Sequence, residues 1–212
     1  ENPNLQQVPR DERIRSLLIA PPGWEFVEAD LSQIELRIVA ELSSDPEMMR
    51  CFLTGIDIHW RTALKEIFAG GGYKKEVVET ACRLTRRNNV DYEEAFDILM
   101  KAGPDACMAV DPKKTDSWPG WKEVRKRAKA VGFGYVYGMW WKKFQVYARD
   151  TYDLIITEKE AQFSRSSYFD TYAKLLKFHQ RQQSFARQNG YVKSLFGRKR
   201  RQIGRASCRE RV

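Results

Sequence analysis

The run WEFVEADLSQIELRIVAELS, Trp24 to Ser43, decides how the chain reads. An aromatic and apolar stretch ends on one carboxylate, Asp30, and a helical pattern starts at once. Residues 24–30 predict a strand. Residues 32–42 predict a helix with Ile34, Ile38 and Leu42 on one face, ended by Ser44-Asp45-Pro46. Ser32 and Glu35 stand in the register of a capping box, where hydroxyl and carboxylate satisfy unpaired amides of the first turn. The same acids could instead be placed for chemistry. Local pattern alone leaves both readings open.

Composition narrows the classes around this stretch. With 212 residues, 42% hydrophobic and 31% charged, the chain has enough length for a sizeable core and reads as soluble and globular. No apolar run approaches the roughly 20 residues of a membrane span, and the first residues lack a secretory pattern. The chain begins without Met, which leads to the expectation of a fragment. Cys51, Cys82, Cys107 and Cys208 are scattered without metal-ligand spacing, so they are expected as reduced thiols in an intracellular, cytoplasmic protein. His59 and His179 are the only histidines, too few for a histidine-rich metal site. The net charge of +9 favours a polyanionic partner, although a merely basic soluble protein has the same balance.

Further along, helical patterns occupy about 46–53 and 57–68, before the glycines at 70–72. Residues 73–103 then form a self-contained segment. Val77, Ala81 and Leu84 repeat at helical spacing, and Asp91 with Glu94 caps a second helix whose stripe is Tyr92, Ala95, Phe96 and Leu99. Gly103-Pro104 is expected to stop it. Residues 70–120 carry eight basic and nine acidic side chains, so this piece is near neutral and is expected to be a small helical insertion that does not bind nucleic acid. Thr157 and Glu160 open another capped helix, carrying Phe163, and the pattern continues with some interruption to Asn189, with Gly190 as its left-handed stop. YVKSLFGRKRR (191–201) predicts a strand pair turning at Gly197. The final GRASCRERV (204–212) fits nothing around it and is expected to be a non-native tail. No internal repeat is found.

Positive charge concentrates in WKEVRKRAKAVGFGYVYGMWWKKF (121–144), which is also rich in aromatics. Arg125, Lys129 and Phe133 recur every four residues, a spacing that keeps all three on one broad helical face. Two cations followed by a ring suit a nucleoside triphosphate: charge for the phosphates, a flat surface for sugar and base. Tyr137 lies one turn further, and Gly132, Gly134 and Gly138 allow close backbone approach. Taken alone, the stretch fits a solvated basic face ending in a core Phe at least as well.

DLSQIELR together with Arg125-x3-Lys129-x3-Phe133-Gly134-x2-Tyr137-Gly138 resembles motifs A and B of family A DNA polymerases, the bacterial polymerase I group and related phage replicases. The resemblance extends to PNLQQVP (3–9), RIR (13–15), DIH (57–59), EAQ with YFDTY (160–172) and GYVKSLFGRKRR (190–201). It implies an α+β, mostly helical fold: part of a polymerase right hand. Residues 1–56 would be palm with motif A, 57–189 fingers with motif B and the helical insertion, and 190–203 a strand pair returning toward the palm.

The resemblance also implies roles. Asp30 corresponds to a carboxylate that binds two catalytic Mg²⁺ ions, with the Leu31 carbonyl facing metal and Ser32 and Gln33 beside the nucleotide. In such sites two ions roughly 3.5–4 Å apart activate the attacking hydroxyl and steady the leaving group. Lys129 corresponds to a triphosphate-contacting residue that can protonate pyrophosphate, and Arg125 and His59 to its phosphate-side companions. Phe133 packs on the incoming sugar and base, and a Phe there implies discrimination against dideoxynucleotides. Tyr137 stacks beside the templating base. Glu35 doubles as a gate against the ribose 2′-hydroxyl. Asn4, Gln6, Gly138, Arg198, Lys199 and Arg200 would contact primer–template DNA. The implied partners are primer–template DNA and deoxynucleoside triphosphates, with a monomeric protein and no membrane. The implied function is template-directed deoxynucleotide transfer to a primer 3′-hydroxyl in replication or repair.

The sequence departs from the family in several places. Leu31 replaces a usual Tyr, and Ala173 stands where Pro is frequent. The gap between His59 and Arg125 is long, which points to a phage or otherwise divergent relative. No motif supplying a second metal-binding carboxylate is present, so the chain alone is expected to be inactive. Two rivals stay in view. A single-subunit RNA polymerase shares the motif B frame, but Glu35 and Phe133 oppose it. A non-catalytic DNA-binding relative of polymerases predicts DNA binding without turnover.

Overall fold

The structure is a computed structural model that describes residues 11–27, 29–111 and 118–201. It divides into two compact units, 1–34 and 35–212. Asn4 and Gln6, and the tail 204–212 with Cys208, lie outside the described residues.

In the first unit, Asp11 caps the short α1 (Glu12–Arg15), its carboxylate accepting from the Arg13 amide at 3.0 Å and pairing with the Arg13 guanidinium at 2.7 Å. A turn follows at Pro21–Trp24, where Gly23 takes φ +81°, a conformation that favours glycine. The expected strand at 24–30 does not form among the described residues. Trp24 is 74% exposed and Val27 90%. An extended run becomes a strand only when a neighbour takes up its backbone amides and carbonyls, and no described strand does so here.

Helix α2 (Ile34–Ser43) begins at the boundary between the units. Gln33, immediately before it, takes φ +53°, and Glu35 lies in its first turn. Its buried stripe is Leu36, Ala40 and Ser43, not the expected Ile34, Ile38 and Leu42, which remain partly exposed. Two stripes compete on this helix, and the buried one carries the smaller Ala40 and Ser43.

The second unit then runs α3 (Pro46–Leu53), α4 (Ile58–Gly70), α5 (Lys74–Thr85), α6 (Tyr92–Ala109), α7 (Gly120–Val136), α8 (Trp141–Tyr152), α9 (Glu158–Thr171) and α10 (Ala173–Asn189). A hairpin of β1 (Tyr191–Lys193) and β2 (Lys199–Arg201) closes the described chain, antiparallel with Tyr191 opposite Arg201. Most of these follow the sequence pattern. Gly71 and Gly190 end α4 and α10 in the left-handed conformation, and Thr157 with Glu160 forms a full capping box on α9. Asp91 caps α6 through the Glu94 amide at 2.7 Å, but the Glu94 carboxylate turns to Arg87. Gly103-Pro104 does not end α6. Gly103 leaves the helical region at φ +80°, ψ 174°, and the chain resumes as a helix to Ala109. Proline fits the first turn of the resumed segment, where its missing amide costs nothing, so the pair makes a kink instead of a stop.

Two cores fill the second unit. One gathers Leu36, Ala40, Met48, Ile58, Val131, Tyr135, Phe144, Tyr168, Tyr172 and Leu175 among others; the second gathers Trp60, Leu64, Val77, Ala95, Leu99, Trp118, Trp121 and Ala128 with their neighbours. Helices α4 and α7 contribute to both, so they form the seam. Asp45 is buried and serves two helices. It caps α3 through the Glu47 and Met48 amides, both 3.1 Å, and takes the Lys174 amide at the start of α10 at 3.0 Å.

Candidate active site

Charge and shape converge where α4 packs along α7. Arg125, Lys129 and Phe133 lie on successive turns of α7. Asp57 is the N-cap of α4: its Oδ1 accepts from the amides of His59 at 2.8 Å and Trp60 at 3.1 Å. Its Oδ2 accepts from Arg125 Nη2 at 2.5 Å. Burial works to raise the Asp57 carboxyl. The Arg125 hydrogen bond, the Trp60 amide and the Arg125 charge outweigh it, so the group stays ionised below the usual carboxylate range.

His59 is almost fully enclosed, 3% exposed, and faces Phe133 with ring centroids 5.4 Å apart. Gly132 makes room for it: a Cβ there would stand 3.2 Å from His59 Nδ1. Burial pushes the His59 imidazole down to about 4, with Arg125 and Lys129 adding to the effect and Asp57 opposing it. At neutral pH the ring is therefore uncharged. An uncharged imidazole can donate one N–H hydrogen bond but adds no charge.

Lys129 is exposed and Phe133 half-buried, so both remain available to a ligand. Tyr137 follows as the C-cap of α7, 61% exposed, its phenol raised by partial burial and by the negative charge of Glu35. Glu35, at the start of α2, thus lies within electrostatic reach of Tyr137 on the α7 side. Gly138 takes φ +72°, and a Cβ there would meet the His179 ring at 3.8 Å. His179 Nε2 sits 3.0 Å from the Val136 carbonyl. The structure therefore brings His59, Arg125, Lys129 and Phe133 together, with Tyr137 and Glu35 beyond them.

The other expected residues lie apart or in the first unit. Asp30, Leu31 and Ser32 are exposed there, Gln33 is half-buried, and the Leu31 carbonyl accepts from the Ile34 amide at 3.2 Å. The described residues contain no group of three or more His, Cys, Asp or Glu side chains able to hold a metal ion. One carboxylate does not fit a site for two Mg²⁺ ions, which need several oxygen ligands. Arg198, Lys199 and Arg200 lie exposed on the hairpin, with Lys199 Nζ 4.8 Å from the centre of the Tyr191 ring.

Sequence reasoning missed Asp57 as a member of this cluster. The signal was present as an Asp opening the helical pattern at 57–68, an N-cap position. Its second partner, Arg125, is 68 residues away and could not be read locally. A groove of about 800 Å³ between α3–α4 and α6 shares Asp57 with this site but is otherwise lined by residues such as Arg50, Phe96, Met100 and Lys101. It is a separate feature.

The chain matches the family described as DNA polymerase family A over residues 1–83 and 107–211. The unmatched piece, 84–106, covers the end of α5 and most of α6. The chain is 32% identical to the thermostable DNA polymerase I of Thermus filiformis over 203 residues, covering 94% of the chain and 18% of that protein. It is 32% identical to DNA polymerase I of Deinococcus radiodurans over 215 residues, covering 100% of the chain and 17% of that protein. The chain thus spans less than a fifth of the length of these relatives. Among solved structures it resembles the POL domain of Pol1 from M. smegmatis in complex with DNA primer-template and dNTP, with TM-score 0.55 and 26% identity over 96% of this chain and 29% of that one. No helix among the described residues is long and apolar enough to cross a membrane. Family A DNA polymerases are generally metal-dependent. On the sequence match and the shared fold, the chain belongs to DNA polymerase family A.

Proposed function

We propose that this chain is the nucleotide-selecting portion of a DNA-directed DNA polymerase, which adds deoxynucleotides to a primer 3′-hydroxyl under template direction. The observation that carries the reading is the α4–α7 seam, where Arg125, Lys129, Phe133 and an uncharged His59 share one face. Arg125 and Lys129 supply charge-assisted hydrogen bonds to a triphosphate, and His59 supplies a neutral one. Phe133 offers its ring to the sugar and base, and Tyr137 marks the template side. Glu35 excludes a ribose 2′-hydroxyl. Gly138 and the hairpin cations Arg198, Lys199 and Arg200 approach the DNA backbone, where cations release counterions. Asp30 and the Leu31 carbonyl would offer a metal ion one carboxylate and one backbone oxygen, fewer ligands than a two-ion site needs.

The test is calorimetric titration of the chain with dATP in Mg²⁺ buffer. Lys129→Ala and Arg125→Ala are each expected to weaken binding about 10- to 100-fold, as for loss of one charged hydrogen bond of about 1.5–3 kcal/mol. ATP should bind more weakly than dATP. Equal affinities for wild type and both variants defeat the reading, and a preference for ATP favours an RNA polymerase.

A further inference from the structure

The two oxygens of Asp57 face different helices. Oδ1 is consumed by the amides of His59 and Trp60, which fixes the first turn of α4 and with it the His59 backbone. Oδ2 holds one nitrogen of Arg125 across the seam. A guanidinium carries five N–H donors, so this bond leaves Arg125 with donors to spare while removing most of its side-chain freedom. Arg125 Nε is buried without a hydrogen-bond partner among the described residues, so the head group is held by Asp57 rather than by a cage of acceptors. One carboxylate therefore sets a backbone on α4 and a cation on α7.

We propose that Asp57 is a positioning residue for triphosphate binding, holding Arg125 aimed along the α7 face in register with His59. This rests on the nucleotide site argued above and extends it to a residue that touches no substrate. It makes a prediction opposite to simple electrostatics. A carboxylate beside a phosphate site repels the ligand, so neutralising it should tighten binding if charge were all that mattered. If Asp57 preorganises Arg125, neutralising it should weaken binding, because the freed side chain must be ordered by the ligand.

Asp57→Asn and Asp57→Ser both keep a good N-cap and remove the ion pair. Titrated with dATP and Mg²⁺, each is expected to bind about tenfold more weakly than wild type, with thermal unfolding near the wild-type midpoint. In an Arg125→Ala background the same substitutions should change affinity by less than about twofold, because the residue acts through Arg125. Unchanged or tighter binding by the single variants overturns the inference alone, as does an equal loss with and without Arg125. Failure of both variants to fold assigns Asp57 to the fold only and overturns it as well. A wild-type chain that does not bind dATP removes the site and the inference together.

Discussion

The two cores of the second unit are built from different materials. The α4–α5–α6 core is anchored by indoles: Trp60, Trp118 and Trp121 meet edge to face at about 5 Å, and Trp121 Nε1 donates to Thr80 Oγ1 at 3.1 Å. The other core is anchored by phenols that donate to backbone: Tyr135 to the Ala161 carbonyl at 2.7 Å and Tyr168 to the Gly132 carbonyl at 3.4 Å. Both kinds of ring add directed bonds: Trp60 Nε1 also donates to the Leu99 carbonyl at 3.0 Å, so the indoles tie α4 to α6 and α7 to α5, whereas the phenols tie α7 to α9. The difference matters because α7 carries the candidate site and is gripped by both. The first half of α7 is tied to α5 through its indole; the second half is tied to α9 through phenols.

The largest way to break this contrast is Trp121→Ala. Truncating a fully buried indole should cost about 3–5 kcal/mol in urea unfolding, whereas Tyr135→Phe, which removes one buried hydrogen bond, should cost about 1–2 kcal/mol. Equal losses would mean that the two cores are not held differently.

Acid probes the seam itself. His59 is held near 4 when folded and returns to about 6.5 when unfolded, so between these values the unfolded chain binds the proton. Stability is therefore full above about pH 6.5 and declines as pH falls toward 4, with a ceiling of about 3 kcal/mol for this one group. His179 is lowered too, by burial first, and titrates in the same direction. Glu47, lowered to about 2 chiefly by its hydrogen bond from Arg50, loses its contribution only below about 4.5. Unfolding series from pH 8 to 4 should show a shallower dependence in His59→Asn than in His179→Asn. The reverse order would place the acid-sensitive point off the seam.

The smallest of these effects tests the glycines of α7. At Gly134 a Cβ would lie 2.7 Å from Phe144 Cδ2, so Gly134→Ala should cost about 1–3 kcal/mol despite better helix propensity. Gly132→Ala meets His59 at a gentler 3.2 Å and should cost less in unfolding free energy. A larger loss at Gly132 would make the His59 contact, rather than the phenol core, the tighter joint.

Legibility in the sequence followed the range of the interaction. Caps and stops are local, so Thr157 with Glu160, Asp91, Gly71 and Gly190 could all be read in advance. The spacing of Arg125, Lys129 and Phe133 gave one face correctly, because helical periodicity is also local. The strand at 24–30 could not be judged from its own residues, since pairing needs a partner. The buried face of α2 depended on which of two apolar stripes met a neighbour. The kink at Gly103 turned on whether the chain resumed its helix after a proline. The Asp57–Arg125 pair joined two well-read helices by a bond that neither pattern contains.

Asp45 shows the same distance effect as a matter of timing. Its bonds to Glu47 and Met48 close within one turn, so α3 can be capped as soon as it nucleates. Its bond to Lys174 spans 129 residues, a loop whose closure entropy must be met before the contact forms. Tyr172, the residue at the head of α10, contributes no side-chain cap, so the first turn of that helix waits for the rest of the unit to collapse. The Lys174 amide should then exchange its hydrogen with solvent only through global opening, while the amides that open α3 exchange through local fraying. A single buried carboxylate thereby carries one early and one late event in the formation of the fold.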